Sequence, residues 1–86
     1  SFGKLNIAIM NLEKIQSFID QKKIKANEII NTDLLIKLKL INKNSQKLKI
    51  LGTGEIQDKI NIEADMISKS AQDKLKKAGG SVQLKK

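Results

Sequence analysis

Two glycine pairs are where this sequence invites a search for chemistry. "LKKAGGSV", Leu75 to Val82, places Gly79 and Gly80 behind a run of lysines, and "LGTGE", Leu51 to Glu55, places Gly52 and Gly54 two residues apart. Glycine loops cradle phosphate where they open a helix, because free amides and the positive dipole end attract an anion there. Gly79 and Gly80 instead follow a helix-forming stretch, where carbonyls and partial negative charge lie. Glycine just past the last turn is the usual left-handed cap, so this pair reads as a helix stop. Gly52-Thr53-Gly54 lacks a third glycine, a following helix and a Lys-Ser/Thr pair, and is a weak nucleotide signature. It reads as a bend joining two strands, with a backbone bare enough for another chain, protein or RNA, to approach closely.

Catalytic chemistry finds little to work with. The chain has no His and no Cys, and its carboxylates are scattered singly apart from Glu63 and Asp65 on an expected solvent face. No acid–base pair and no metal-ligand set can be assembled, so an enzyme, a cofactor and a metal are not expected. Lone carboxylates beside lysines are usually surface ion pairs worth little.

Charge is more informative. Seventeen Lys and no Arg face nine Asp plus Glu, a formal charge of +8, which favours a polyanionic partner such as nucleic acid, or an anionic membrane surface. Arg is the better bidentate reader of base edges, so a lysine-only inventory points to phosphate neutralisation. The excess of Lys, with 14 Ile and 7 Asn, also fits the codon usage of an AT-rich genome. Eight lysines against four carboxylates in residues 1–46, and nine against five in residues 47–86, give no one-sided patch by sequence. The longest apolar run, Ile7 to Met10, is far short of the roughly 18 residues of a membrane span, and no signal-peptide pattern opens the chain. A soluble, intracellular protein is expected, and the Ser1 start suggests a processed chain or a piece of a longer one.

These residues need elements to position them, and at 86 residues there is room for one small domain, burying about 60% of the unfolded chain's surface. Leu5, Ile7 and Ile9 alternate with Lys4, Asn6 and Ala8, which reads as a strand from Leu5 to Ile9 with the first set inward. Asn11 can cap a helix carrying Leu12, Ile15, Phe18 and Ile19. "IKLKLI", Ile36 to Ile41, alternates like a strand, yet Leu34, Leu35, Leu38 and Ile41 also fit a helix capped by Thr32. "NKNSQ", residues 42–46, is a turn, "KLKIL" a strand through Leu48 and Ile50, and "KINIEADM" another through Ile60, Ile62 and Ala64. "SKSAQDKLKKA" is the clearest helix. Ser68 or Ser70 can be its N-cap, the second giving an approximate capping box with Asp73. Its stripe of Ala71, Leu75 and Ala78 implies close packing on a sheet, with Lys69, Lys74, Lys76 and Lys77 turned partly or wholly to water. "SVQLK" closes the chain as a strand through Val82 and Leu84.

In order, "LNIAIMNLEKI", "LLIKLKLI", "KLKILGTGEI", "KINIEADMISKSAQDKL" and "KKAGGSV" resemble the C-terminal globular domain of ribosomal protein fifteen of the large subunit, bacterial or organellar type. "KILGTGE" and "SKSAQDKLKKAGGSV" are the most specific parts. The resemblance covers nearly all of the chain as one domain, residues 1–86, without the family's basic N-terminal arm. It implies an α/β fold, a small irregular superhelix of strand and helix turns with a short mixed sheet packed against helices, and it makes "LLIKLKLI" a helix beginning after Thr32. It also implies a structural constituent of the large ribosomal subunit, in a cytoplasmic or organellar ribosome, with large-subunit rRNA and neighbouring large-subunit proteins as partners and neither a membrane nor a small-molecule substrate.

Carried over by position, the RNA-facing candidates are Lys47, Lys49, Gly52 and Gly54 around the strand-turn, and Ser68, Lys69 and Ser70 at the helix start. Two departures stand out. The family commonly has Gly where this chain has Lys39. A left-handed backbone there would cost a non-Gly residue roughly 1 kcal/mol, so the helix is expected to run on. Glu63 to Asp65 is acidic where the family tends to be basic, which speaks against an RNA contact from that strand. The alternative is a protein-interaction module that docks through a sheet edge, Leu5 to Ile9 or the closing strand, with its lysines giving solubility.

Overall fold

The computed structural model describes residues 6–85. Its elements run β1 (Ile7–Asn11), α1 (Leu12–Asp20), β2 (Ile29–Ile30), α2 (Thr32–Lys37), β3 (Lys47–Leu51), β4 (Asn61–Ala64), β5 (Met66–Ile67), α3 (Lys69–Lys77) and β6 (Ser81–Leu84). Successive strands go alternately to two sheets, β1-β3-β5 and β2-β4-β6. Every pairing is parallel. Each circuit of the chain therefore lays one strand in each sheet, and three circuits make a coil of strand and helix turns. The α/β class and the superhelix are as expected. In place of one short mixed sheet, the described residues form two all-parallel ones, because every return to a sheet first visits the other.

The core lies between the sheets and under the helices. Leu12, Ile15, Ile30, Leu35, Leu48, Ile50, Ile60, Ala64, Ala71 and Leu75 are wholly buried, with Met10 and Ile62 nearly so. Burial of each large aliphatic side chain is worth about 1.5–3 kcal/mol. The inward sets of β3 and β4 and the stripe of α3 are those that the sequence periodicity picks out.

The face of β1 is reversed. Leu5 lies outside the described residues, and Ile7 and Ile9 are 44% and 60% exposed, whereas Met10 is buried and Ala8 packs on the core. A period of two does not say which phase faces inward. The phase is set by Met10 and by Leu12, which the turn into α1 carries to the centre. "KINIEADM" is likewise not one strand. It breaks at Asp65, whose N–H donates to the Leu48 carbonyl (3.0 Å) and whose Oδ2 accepts from the Leu48 N–H (2.8 Å). Those two bonds pass the chain from the second sheet to the first, so Asp65 is half-buried and does not lie on a free solvent face.

Each helix starts directly from a strand. The N-caps are Asn11, Asn31 and Ser68, whose side chains accept from the N–H groups of Lys14, Leu34 and Ala71. For α2 the cap is thus Asn31 and not Thr32, and for α3 it is Ser68 and not Ser70. The three helices also end alike. Lys22, Lys39 and Gly79 each follow the C-cap residue with positive φ (62°, 60° and 85°). Two crossing hydrogen bonds close each end, such as Gly79 N–H to Lys76 O and Gly80 N–H to Leu75 O, both 2.9 Å. So α2 does not run on past Lys39. The left-handed turn returns Leu40 and Ile41 to the core, and their burial outweighs a strain of about 1 kcal/mol.

Candidate nucleic-acid interface

The strand β3 sends Leu48 and Ile50 inward, so Lys47 and Lys49 stand together on the outer face of the first sheet. Parallel register places Ile7 beside Lys47, Ile9 beside Lys49, and Met66 on the far side of Lys49. Two ammonium groups therefore rise on half-buried stems among exposed aliphatic side chains. Lys47 Nζ lies 3.8 Å from Asp65 Oδ1, with the lysine side chain 43% exposed. The Asp65 side chain is only 11% exposed, so Lys47 is partly engaged within the fold, while Lys49 has no ion-pair partner among the described residues.

The start of α3 forms the C-terminal rim of the same sheet. Ser68 donates its N–H to Ile50 O (3.0 Å), its Oγ accepts from Ala71 N–H (3.2 Å), and its carbonyl accepts from Gln72 N–H (3.0 Å). Lys69 and Ser70 are exposed at the first turn, which carries no acidic residue. The remaining first-turn amides point out of the helix end with the positive dipole behind them. The neighbouring start of α1 carries Glu13 in its first turn, which disfavours an anion there.

Gly52 and Gly54 lie at this rim but face the chain's own helices. Gly52 is buried, and a Cβ on it would overlap Ser70 Oγ and come within 2.7 Å of Ala71 N. Gly54, at φ +85°, backs onto Glu13, whose Cα and N would lie 2.9 Å from an added Cβ. Glu13 N–H donates to Thr53 O at 3.0 Å. Lys74 Nζ donates to Gly52 O (2.9 Å) and Gly54 O (2.7 Å) and lies 3.5 Å from Glu55. The bare backbone expected to admit a foreign chain is thus approached by α1 and α3.

Structure therefore gathers Lys47 and Lys49 on one face and Ser68, Lys69 and Ser70 on its rim, while the two glycines sit beneath the rim and hold α3 in place. Sequence reasoning missed Lys74, which reads as a solvated lysine yet clamps the glycine turn. Its signal was its position next to the buried Leu75. It also missed Gln16, a buried amide whose Nε2 donates to Asp20 Oδ1 (3.0 Å) and Asp58 Oδ2 (2.8 Å) and whose Oε1 accepts from Gln57 N–H (2.8 Å). Among the described residues there is no pocket, no cluster that could hold a metal, and no helix long and apolar enough to cross a membrane.

Residues 9–83 match the model of a protein family described as ribosomal proteins, 50S-L15 and 50S-L18e with a 60S counterpart, and the chain belongs to that family. More particularly, it is 75% identical over 80 residues to "Large ribosomal subunit protein uL15" of Pelagibacter ubique, an alignment covering 93% of this chain and 52% of the relative. Proteins of the same name from Prochlorococcus marinus (42% identical, 92% of this chain, 48% of the relative) and Bradyrhizobium diazoefficiens (36%, 94% and 50%) are similar to it too. The chain spans about half the length of the curated relatives it matches.

Proposed function

We propose that this chain is the globular domain of a structural protein of the large ribosomal subunit, with no catalytic role, which binds large-subunit rRNA through its phosphates. The observation that carries the reading is the first sheet. In a member of a ribosomal family, Lys47 and Lys49 share its outer face, and Ser68, Lys69 and Ser70 stand at its rim with helix amides free. Lysine and amide contacts position a backbone without reading bases. The ribosome is the corresponding location, in the cytoplasm or an organelle.

Affinity for large-subunit rRNA should fall steeply with salt, with a log–log slope on the order of −3 if about four phosphates are neutralised. Lys47→Gln with Lys49→Gln should flatten that slope by about 1.5. Binding that is flat between low and moderate salt would sink the reading.

The protein-interaction alternative has its own observation, since β1 is an edge strand with Ile7 and Ile9 exposed. Within a ribosome that edge suits a neighbouring large-subunit protein. Capture from lysate with and without ribonuclease separates the two classes. RNase-resistant capture of a non-ribosomal protein favours a module whose lysines serve solubility alone.

A further inference from the structure

Six lysines scattered between residues 22 and 77 meet at one rim of the second sheet. Helices α1 and α3 both start at the C-terminal ends of strands in the first sheet and finish ahead of strands in the second. The register Ile29, Asn61, Ser81 aligns the starts of β2, β4 and β6. Lys22, Lys23 and Lys25 lie ahead of β2, Lys59 ahead of β4, and Lys76 and Lys77 ahead of β6, and apart from Ile24 between them these positions face water. Direct contacts join the three segments. Gln16 of α1 holds Gln57 and Asp58, Gly80 abuts Ile60, and the Lys59 stem passes beside Gly79.

Four carboxylates lie nearby and keep their charge: Asp20, Glu28, Asp58 and Asp73. Asp20 and Asp58 both accept from Gln16, and Glu28 accepts from Lys25 N–H at 3.3 Å. Asp73 stands one turn before Lys77 on α3. The two ion pairs among the described residues use Lys47 and Lys74, neither of which belongs to this rim. Lys23 lies over the Phe18 ring, 5.8 Å from its centroid. These lysines also complement the negative ends of α1 and α3. Six lysines against these four carboxylates leave the edge positive by two charges, and without Arg it suits phosphates and not bases.

We propose that this rim is a second RNA-backbone surface, so that one domain bridges two RNA segments, one on the first sheet at the start of α3 and the other at the far ends of α1 and α3. Each helix has nine residues and spans about 14 Å. The inference rests on the rRNA reading above and adds a second, separate surface to it.

The test uses the whole chain and two short mixed-sequence RNA duplexes, one labelled with a fluorescence donor and one with an acceptor. The unaltered chain should bring the labels together, with two duplexes per chain by sedimentation. Lys22→Gln, Lys25→Gln, Lys59→Gln, Lys76→Gln and Lys77→Gln combined should abolish the energy transfer and leave one duplex bound. The salt slope should flatten by about 0.9 for each phosphate that is no longer neutralised. Arg at the same five positions should keep the bridge, as should Lys37→Gln, Lys39→Gln and Lys43→Gln, exposed lysines away from this rim. Circular dichroism confirms that each variant stays folded. Energy transfer that survives in the five-Gln variant overturns the proposal, as does salt-dependent binding of only one duplex by the unaltered chain. No RNA binding at all overturns both this proposal and the rRNA reading.

Discussion

The two ends of α3 solve opposite problems. At its N-terminus the dipole favours an anion, but the backbone is crowded: Gly52 presses on Ser70 and Ala71, and Lys74 reaches back to hold the Gly52 and Gly54 carbonyls. At its C-terminus the dipole disfavours an anion, yet the surface is open and carries Lys76 and Lys77, with Lys59 alongside. Both ends have a glycine pair. One pair is there chiefly because a helix comes too near for a side chain; in the other, Gly79 takes a left-handed turn with space around it, while Gly80 is packed against the Ile60 backbone as closely as Gly52 is against α3. Glycine in a sequence does not distinguish these uses, and what packs against it does.

The sharpest way to break this contrast is Gly52→Ala. An added Cβ meets the Ala71 backbone nitrogen at 2.7 Å, so the start of the helix itself must move. A shift of that kind costs about 3 kcal/mol, the upper end for overpacking. A domain of this size has on the order of 4–13 kcal/mol in all, so urea unfolding should show a much lower midpoint. RNA affinity should fall as well, since Ser68, Lys69 and Ser70 move with the helix. A loss under about 1 kcal/mol would mean that the N-terminal end yields readily and is not the crowded one.

Some of this was legible in the sequence, and the reasons differ by element. β3, β4 and the stripe of α3 were readable because Leu48, Ile50, Ile60, Ile62 and Leu75 alternate or recur with one phase only, and each is buried. β1 was not, because "LNIAIMN" offers aliphatic residues in both phases and the choice rests on Met10 and Leu12 meeting a core built from elsewhere. Asn31 and Thr32 are adjacent residues that can both cap a helix, and what decides for Asn31 is its extended backbone and the bond its Oδ1 accepts from Leu34 N–H. The lysine surfaces were least legible. Lys22, Lys59 and Lys77 become neighbours through two parallel sheets whose strands alternate in the chain, and equal charge in the two halves of the sequence conceals that convergence. Asp65 and Lys74 look like solvated charges because nothing local marks a backbone partner 17 or more residues away.

At the other end of α3, Gly79→Ala should cost only about 1 kcal/mol. The residue sits at φ +85°, which strains any side chain, but the nearest atoms to an added Cβ are Lys59 Cγ and Cδ at 3.8 Å, ordinary contact. Thermal unfolding followed by circular dichroism should therefore rank it well below Gly52→Ala in damage, with RNA affinity unchanged in the folded variant. If the two substitutions cost the same, the distinction between a crowded glycine and an open one fails.

The smallest effect carries the comparison to the end of α2, which closes with the same hydrogen-bond pattern but places Lys39 where α3 has Gly79. Lys39→Gly removes left-handed strain of about 1 kcal/mol and adds roughly 0.5 kcal/mol of entropy to the unfolded chain, so a net gain of about 0.5 kcal/mol is expected. Urea midpoints of Lys39→Gly and of Lys39→Gly combined with Lys22→Gly should rise in two similar steps, since the two turns close different helices and their effects should add. A fall in stability would show that the lysine stem at position 39 contributes packing worth more than the strain it imposes. In that case the departure of this chain from the family's usual glycine would be a stabilising one.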